Sequence, residues 1–498
     1  MRLPLLAALG IVLLLWGSPG VAAGEPLSLS LQDCVRRALD GNLEISIQRL
    51  NPLIDEEAVR IARGDFDPAV VFSPNYGENS TPLDAQSSVA AGGLTSTKTR
   101  TTDFSTGLEG KFPTGTRYNL GLRSSDSQNT FNSFQEQYTT YWGLDVAQPL
   151  LRGFGTASQM APIRIARVAK NISDEDFSGR VMDVITRVHD AYHNLVFAIQ
   201  NRTVQFQALE LAAKLLEDNR KRVLIGVMAP LEITQAESGV ASREENVILA
   251  NQDVNLRMTA LRALISPNLS EIQDRPLAPS DLPGDIPPPV RSRDELLVDA
   301  LELRPDYRAA KLVVERQNIQ LVYDQQQRWP QVDLKGTAGF NGVNQDFTKS
   351  VDTKNDRWAV GMAVRIPLPD QAAQGHLESS RLRKQQAILQ LKRAEQTVVV
   401  DVSNALDAVD ASHKRIKVTR VARRAAEDAL AAETSKLRAG TSTSFVVLEL
   451  QNKLAEVRSR EIRALADYSI ALAKLHLSVG RTLRENNIEL VRGGAGDR

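Results

Sequence analysis

Asp145-Val146-Ala147-Gln148-Pro149-Leu150 and Ala363-Val364-Arg365-Ile366-Pro367-Leu368 are one passage written twice. In each, a strand-like run meets a proline and a long helical pattern follows. Proline fits neither a central strand nor a helix interior, so it marks the junction. Reading outward from the two junctions gives the same order on both sides. A short helix and strand-like sequence precede each junction, and two long helical stretches joined by a glycine-containing tip follow it. The first tip reads Arg222-Val223-Leu224-Ile225-Gly226 and the second Lys436-Leu437-Arg438-Ala439-Gly440. A repeat of this size means two similar units side by side, not a solenoid of small modules. The expected division is a signal peptide (1–23), a first repeat (24–265), a proline-rich linker (266–291), a second repeat (292–480) and a polar tail (481–498). Such a pattern makes geometry the main product of the sequence. It points to a tube or scaffold more than to a catalytic pocket.

Composition narrows the classes. The 498 residues carry 60 Lys plus Arg and 60 Asp plus Glu, a formal net charge of zero. A nucleic-acid binder needs a basic surface, so nucleic acid is not an expected partner. The single cysteine, Cys34, excludes an intramolecular disulfide and is expected to pack as a small apolar group. Arg2, the apolar run Leu5 to Trp16, the Pro19-Gly20 break and Val21-Ala22-Ala23 form a secretory signal with a mature start at Gly24. An uncleaved anchor is the alternative, but the run is short for that. No later segment has the long uncharged stretch of a transmembrane helix. The mature chain is therefore expected in the periplasm, secreted, or in the outer membrane as a β-barrel, whose alternating strands evade hydropathy scans.

Ser30 to Asp33 predicts a helix N-cap, with the helix running to about Arg63 and kinked at Asn51-Pro52. Ser292 to Glu295 is a capping box opening the matching helix. In the first half, Asp67–Tyr76, Phe104–Lys111, Tyr118–Leu122 and Tyr138–Gln148 read as strands. The Pro113-Thr114-Gly115 turn joins the middle two. Asn79–Arg100 and Ser124–Gln137 read as long polar loops. The second half offers Val332–Phe340 and Trp358–Ile366. Segments of about ten residues suit tilted membrane strands, and Trp142, Trp329 and Trp358 fit an aromatic girdle beside them. The first repeat thus carries one hairpin more than the second. This surplus predicts either two more barrel strands or a cap over the outer mouth.

The helices show heptads. Val181, Ile185, Val188, Tyr192, Leu195 and Ile199 form one seam, expected to continue through Phe206, Leu209, Ala213, Leu216 and Val223. Val447, Leu450, Leu454, Val457, Ala464, Tyr468, Ala471 and Leu475 form the other. A helix of about 60 residues extends about 90 Å and needs neighbours along its length.

The duplicated order, the Gln148-Pro149-Leu150-Leu151-Arg152-Gly153-Phe154-Gly155 junction and the two glycine tips together resemble the TolC-like outer-membrane channel family. The resemblance covers nearly all of the mature sequence. It implies a mainly α fold with a membrane β-barrel part, in which each repeat joins a strand hairpin to a long coiled-coil helical hairpin. Three chains would build one barrel, usually of twelve strands, set in outer-membrane lipid and continued by a periplasmic tunnel. The homotrimer would be a passive export duct for drugs, metals or proteins. Its implied partners are a periplasmic adaptor and an inner-membrane pump, and it needs no cofactor. By position, Glu232 and Glu449 match acids at the pore entrance. Gly226, Val227, Pro230 and Leu231, with Gly440, Thr441, Ser444 and Leu448, match the adaptor-docking tips. Leu437, Ser442 and Val446 stand where well-known members carry a tyrosine, an arginine and an aspartate that tie the entrance shut, so that lock is not expected here.

Two other classes compete. A periplasmic coiled-coil scaffold or adhesin would keep its strands in a soluble domain. A zinc hydrolase would use His189 and His193, one helical turn apart in His189-Asp190-Ala191-Tyr192-His193. That pattern calls for Glu as general base where Asp190 stands, and Tyr192 belongs to the heptad seam. Packing explains the stretch, and no enzyme is expected.

Overall fold

The computed structural model describes residues 27–272, 275–281, 291–352 and 355–490. The signal peptide, the triple proline at 287–289 and the last residues of the polar tail lie outside this range. The chain forms two compact units that cut across the repeats: residues to 44, 182–290 and 404–477 in one, and 45–181, 291–403 and 478–498 in the other.

The sheet-bearing unit holds six antiparallel strands. They are β2 (Ala69–Pro82), β3 (Ser96–Lys111), β4 (Arg117–Asn129), β5 (Tyr138–Pro149), β7 (Gln331–Asn344) and β8 (Asn355–Arg365), in that spatial order. The short β1 (Leu27–Leu29) and β6 (Leu277–Pro279) belong to the other unit. All six sheet strands are longer than the sequence reading. Asn79–Arg100, expected as a loop, instead finishes β2, makes a short helix Ala85–Ala90 and begins β3. Ser124–Gln137 likewise gives its first half to β4. These ends are rich in Ser, Thr and Asn on both faces, so alternation, the signal that reveals a half-buried strand, is missing there.

Register sorts the side chains by face. Val70 lies opposite Leu108, Leu108 opposite Leu120, Leu120 opposite Leu144, Leu144 opposite Ala338 and Ala338 opposite Trp358. Side chains alternate along a strand, so Phe72, Phe104, Leu122, Trp142, Phe340, Val360 and Met362 share this face. The opposite face carries Ser73, Asp103, Ser105, Asn119, Arg123, Asp145, Lys335, Thr337 and Arg357. Arg123 pairs with Asp145 at 2.9 Å, and Ser125 donates to Asp103 at 2.7 Å. Trp142 packs on Phe340 with ring centroids 4.7 Å apart. The apolar face is bare: Val70, Trp358, Val360 and Met362 are between 65% and 79% exposed.

The helical unit contains the far ends of two hairpins. Ala161–Leu224 and Leu231–Ile265 make the first; Gln371–Arg438 and Ser444–Val479 make the second. The predicted seams are buried from Ile185 to Leu195 and from Leu454 to Leu475. Beyond Asn201 the buried residues precede the expected ones, by two positions at Val204 and by one at Ala208, Ala212 and Leu215. Val204, Ala208, Ala212 and Leu215 are buried, and Phe206 is exposed. From Val204 to Leu215 the buried residues are spaced four, four and three, an eleven-residue repeat over three turns in place of the strict heptad.

Both capping boxes are present, at Ser30 with Asp33 and at Ser292 with Glu295. The first helix breaks at Asn42, not at Pro52, which sits inside Leu43–Arg63. Asn42 explains the break. Its side-chain oxygen accepts the Glu44 amide at 2.9 Å, and its Nδ2 donates to the Leu264 carbonyl at 3.0 Å. The proline-rich stretch contributes β6, which pairs in parallel with β1. The start of the polar tail folds as well, with Thr482 buried in a short helix Thr482–Glu485.

Candidate functional site

The hairpin tips are built by the same backbone device. Gly226, at φ +75°, donates to the Val223 carbonyl, and Val227 donates to that of Arg222, both at 3.0 Å. Gly440, at φ +78°, donates to Leu437 at 3.2 Å, and Thr441 to Lys436 at 3.0 Å. This is the Schellman ending. It satisfies the last helical carbonyls and requires a left-handed residue that glycine adopts without strain. A Cβ on either glycine would meet open space.

The two tips are bonded to each other. The Glu232 carboxylate accepts the Ser444 amide at 3.0 Å, which places a negative charge on the N-terminus of the second hairpin's returning helix. Asn219 Nδ2 donates to Ser444 Oγ at 2.8 Å and to the Glu232 carbonyl at 3.2 Å. Arg222 donates to the Leu437 carbonyl at 2.9 Å. Beneath these bonds Ala212, Leu215, Leu437, Val447 and Leu448 form a small core. Gly239 admits Leu448 here, because a Cβ on it would lie 2.9 Å from a Leu448 methyl.

Of the eight tip residues, Gly226, Val227, Pro230, Leu231, Gly440 and Thr441 are exposed. Ser444 and Leu448 are not: both are buried in the joint between the hairpins. Glu232 serves that joint too. Glu449 is exposed and lines a separate groove with Gln205, Arg243, Asn246 and Lys453. Leu437 is a core residue, and Ser442 bonds Glu433 at 2.6 Å.

Asn219 and Arg243 escaped the sequence reading, although a signal existed. Asn219 continues the 212, 215 spacing, and Arg243 sits on the buried stripe Ala236, Val247, Ala250, Val254 of the first hairpin's returning helix. Arg243 Nε finds no hydrogen-bond partner among the described residues, and burial lowers the guanidinium pKa.

The histidine pair has a packing role. Tyr192, edge-on to the His193 ring with centroids 5.7 Å apart, holds its hydroxyl 3.3 Å from the Leu29 carbonyl and 3.2 Å from the Asp281 carboxylate. Burial, helped by the neighbouring His189, lowers the His193 pKa to about 4, so the ring is neutral. Cys34 is fully buried, which pushes its thiol up to about 12.

Residues 35–266 and 296–481 match the profile of the outer membrane efflux protein family. The chain belongs to that family. The fusaric acid resistance protein of Burkholderia cepacia is 28% identical over 201 residues, which span 39% of this chain and 35% of that protein. The cobalt-zinc-cadmium resistance protein of Cupriavidus metallidurans is 24% identical over 64% of this chain and 73% of its own length. The crystal structure of the Campylobacter jejuni CmeC outer membrane channel superposes with a TM-score of 0.69 at 16% identity, covering 92% of this chain and 90% of that one. That likeness is one of fold. No helix among the described residues is long and apolar enough to cross a membrane.

Proposed function

We propose that three copies of this chain form the outer-membrane exit duct of an efflux assembly, fed by an inner-membrane pump through a periplasmic adaptor. One observation carries the reading. A six-stranded sheet presents a bare apolar face on one side and a charged face on the other, and both of its edges, β2 and β8, are open. Unpaired backbone groups cannot sit in lipid, so the edges must be closed by further copies. The apolar face then meets hydrocarbon and the charged face meets a water-filled lumen.

The exposed ends of the helical hairpins are the docking site for the adaptor. Val227 and Leu231 are 69% and 64% exposed beside a left-handed glycine, and a partner's helical hairpin can extend the coiled coil there. Relatives named for resistance to fusaric acid and to metal ions support a small organic or ionic cargo over a protein one.

The test is export in a host that depends on this channel, scored as survival on a panel of toxic organic compounds and metal ions. Gly226→Trp with Gly440→Trp should make cells as sensitive as those without the channel, while trimers form normally. Unchanged resistance in that double variant would overturn docking at the tips.

A further inference from the structure

We infer that the surplus hairpin β3–β4 is part of the barrel wall, so that each copy supplies six strands and three copies close an eighteen-stranded barrel. The inference rests on the trimeric-duct reading above and specifies its membrane part. The interface it assigns is β2 of one copy against β8 of the next.

The first support is pairing. β2 is bonded to β3 along its whole length, from Ala69 opposite Glu109 to Pro82 opposite Ser96. β4 is bonded to β5 from Arg117 opposite Ala147 to Asp126 opposite Tyr138. The hairpin therefore stands between β2 and β5, which do not touch each other in the sheet order. A cap folded over the mouth would leave β2 beside β5.

The second support is the face pattern. Phe104, Leu108, Leu120 and Leu122 carry the apolar band from Val70 and Phe72 on one side to Trp142 and Leu144 on the other. Ser105, Asn119 and Arg123 continue the polar face in the same way. A hairpin in water has no need of a lipid-facing side in register with its neighbours.

The third support is a row of glycines on the polar face. Gly107 lies opposite Gly121, Gly121 opposite Gly143 and Gly143 opposite Gly339. A Cβ on Gly121 would sit 2.7 Å from the Thr106 carbonyl oxygen, and one on Gly143 2.5 Å from that of Ala338. At these positions the backbones approach each other closely on the polar side, which is what a wall curving toward its lumen requires. Two of the four glycines, Gly107 and Gly121, belong to the hairpin, which therefore shares this close approach with the common strands.

The edges supply the partner. Six strands are an even number, so β2 and β8 run in opposite directions. Joining β8 of one copy to β2 of the next continues the antiparallel order of the sheet. It also joins the apolar residues Trp358, Val360 and Met362 to Val70 and Phe72 on one face. With strands about 4.8 Å apart and tilted by about 40°, eighteen strands give a backbone diameter of about 36 Å, against about 24 Å for twelve.

The experiment labels single cysteines in the full chain with a charged, water-soluble maleimide in intact outer membranes. Native Cys34 is silent there, since it is buried with its thiol at about 12. Ser105→Cys and Asn119→Cys probe the polar face of the hairpin; Leu108→Cys and Leu120→Cys probe its apolar face. Thr337→Cys and Leu144→Cys are the matching pair on the common strands. The expected result is fast labelling at 105, 119 and 337 and at least tenfold slower labelling at 108, 120 and 144. Fast labelling at 108 and 120 with protection at 144 would place the hairpin outside the membrane and overturn the inference, leaving the duct intact. Fast labelling at 144 as well would overturn the duct itself. Electron cryo-microscopy of the unaltered trimer gives an independent reading: eighteen strands are expected, and twelve would refute the wider barrel.

Discussion

The two units treat the same kinds of side chain in opposite ways. In the helical unit Ile185, Val188, Tyr192 and Leu195 are almost wholly hidden, and the outer faces are charged. In the sheet unit Phe72, Leu120, Trp358 and Val360 stand more than half exposed on one face. A leucine left bare in water forgoes about 1.5–3 kcal/mol of burial, so a whole face of such residues signals a different solvent. The helices are folded for water and the sheet for lipid. One chain working in both solvents is what a duct from periplasm to exterior requires.

Truncating a leucine in each unit should separate the solvents. Leu195→Ala leaves a cavity in a packed seam and should cost about 2–5 kcal/mol, visible as a lower midpoint in denaturant. Leu120→Ala, facing lipid, leaves no cavity and should shift the midpoint far less. Equal losses at both sites would break the comparison.

Charge should sharpen it. Leu120→Arg puts a guanidinium into hydrocarbon at a cost of about 2–4 kcal/mol, while Asn119→Arg, one residue away on the polar face, should be close to neutral. Membrane-inserted yield of the two variants reads the difference, and equal yields would count against the assigned faces.

A smaller effect concerns pH in the helical unit. His193 has a folded pKa of about 4, below its ordinary 6.5, because burial disfavours the cation. The unfolded chain therefore takes up the proton first as pH falls. The stability is intact above about pH 6.5 and is lost progressively toward pH 4, by about 2–3 kcal/mol in total. Melting temperatures of wild type and His193→Gln, compared across that window, should diverge in slope. Parallel curves would remove His193 as the cause.

The smallest is the joint at the tips. Glu232→Gln keeps a hydrogen-bond acceptor for the Ser444 amide but loses the charge on the helix N-terminus, a change of about 0.5–1 kcal/mol. Faster hydrogen exchange at the Ser444 amide, with little change in global stability, is the expected sign. No change there would mean the bond does not hold the tips together.

What the sequence revealed follows the reach of each interaction. Gly226, Gly440, Ser30 and Ser292 were legible because a helix end is decided within a few residues. The junctions at Pro149 and Pro367 were legible for the same reason. Strand positions were found where alternation is strong, as at Tyr138–Gln148, and lost at 79–100, where both faces are polar. The burial of Ser444 and Leu448 depends on Asn219, Glu232 and Gly239 of the other hairpin, more than two hundred residues away in sequence. No local pattern encodes such a joint. The change of seam spacing from Val204 onward likewise spans three turns and shows in no single one of them.

The central claim is that the open sheet is one third of a closed wall. Native mass spectrometry of the protein extracted from outer membranes in mild detergent tests it most directly. The account predicts a single assembly of three chains; a stable membrane-inserted monomer would contradict it.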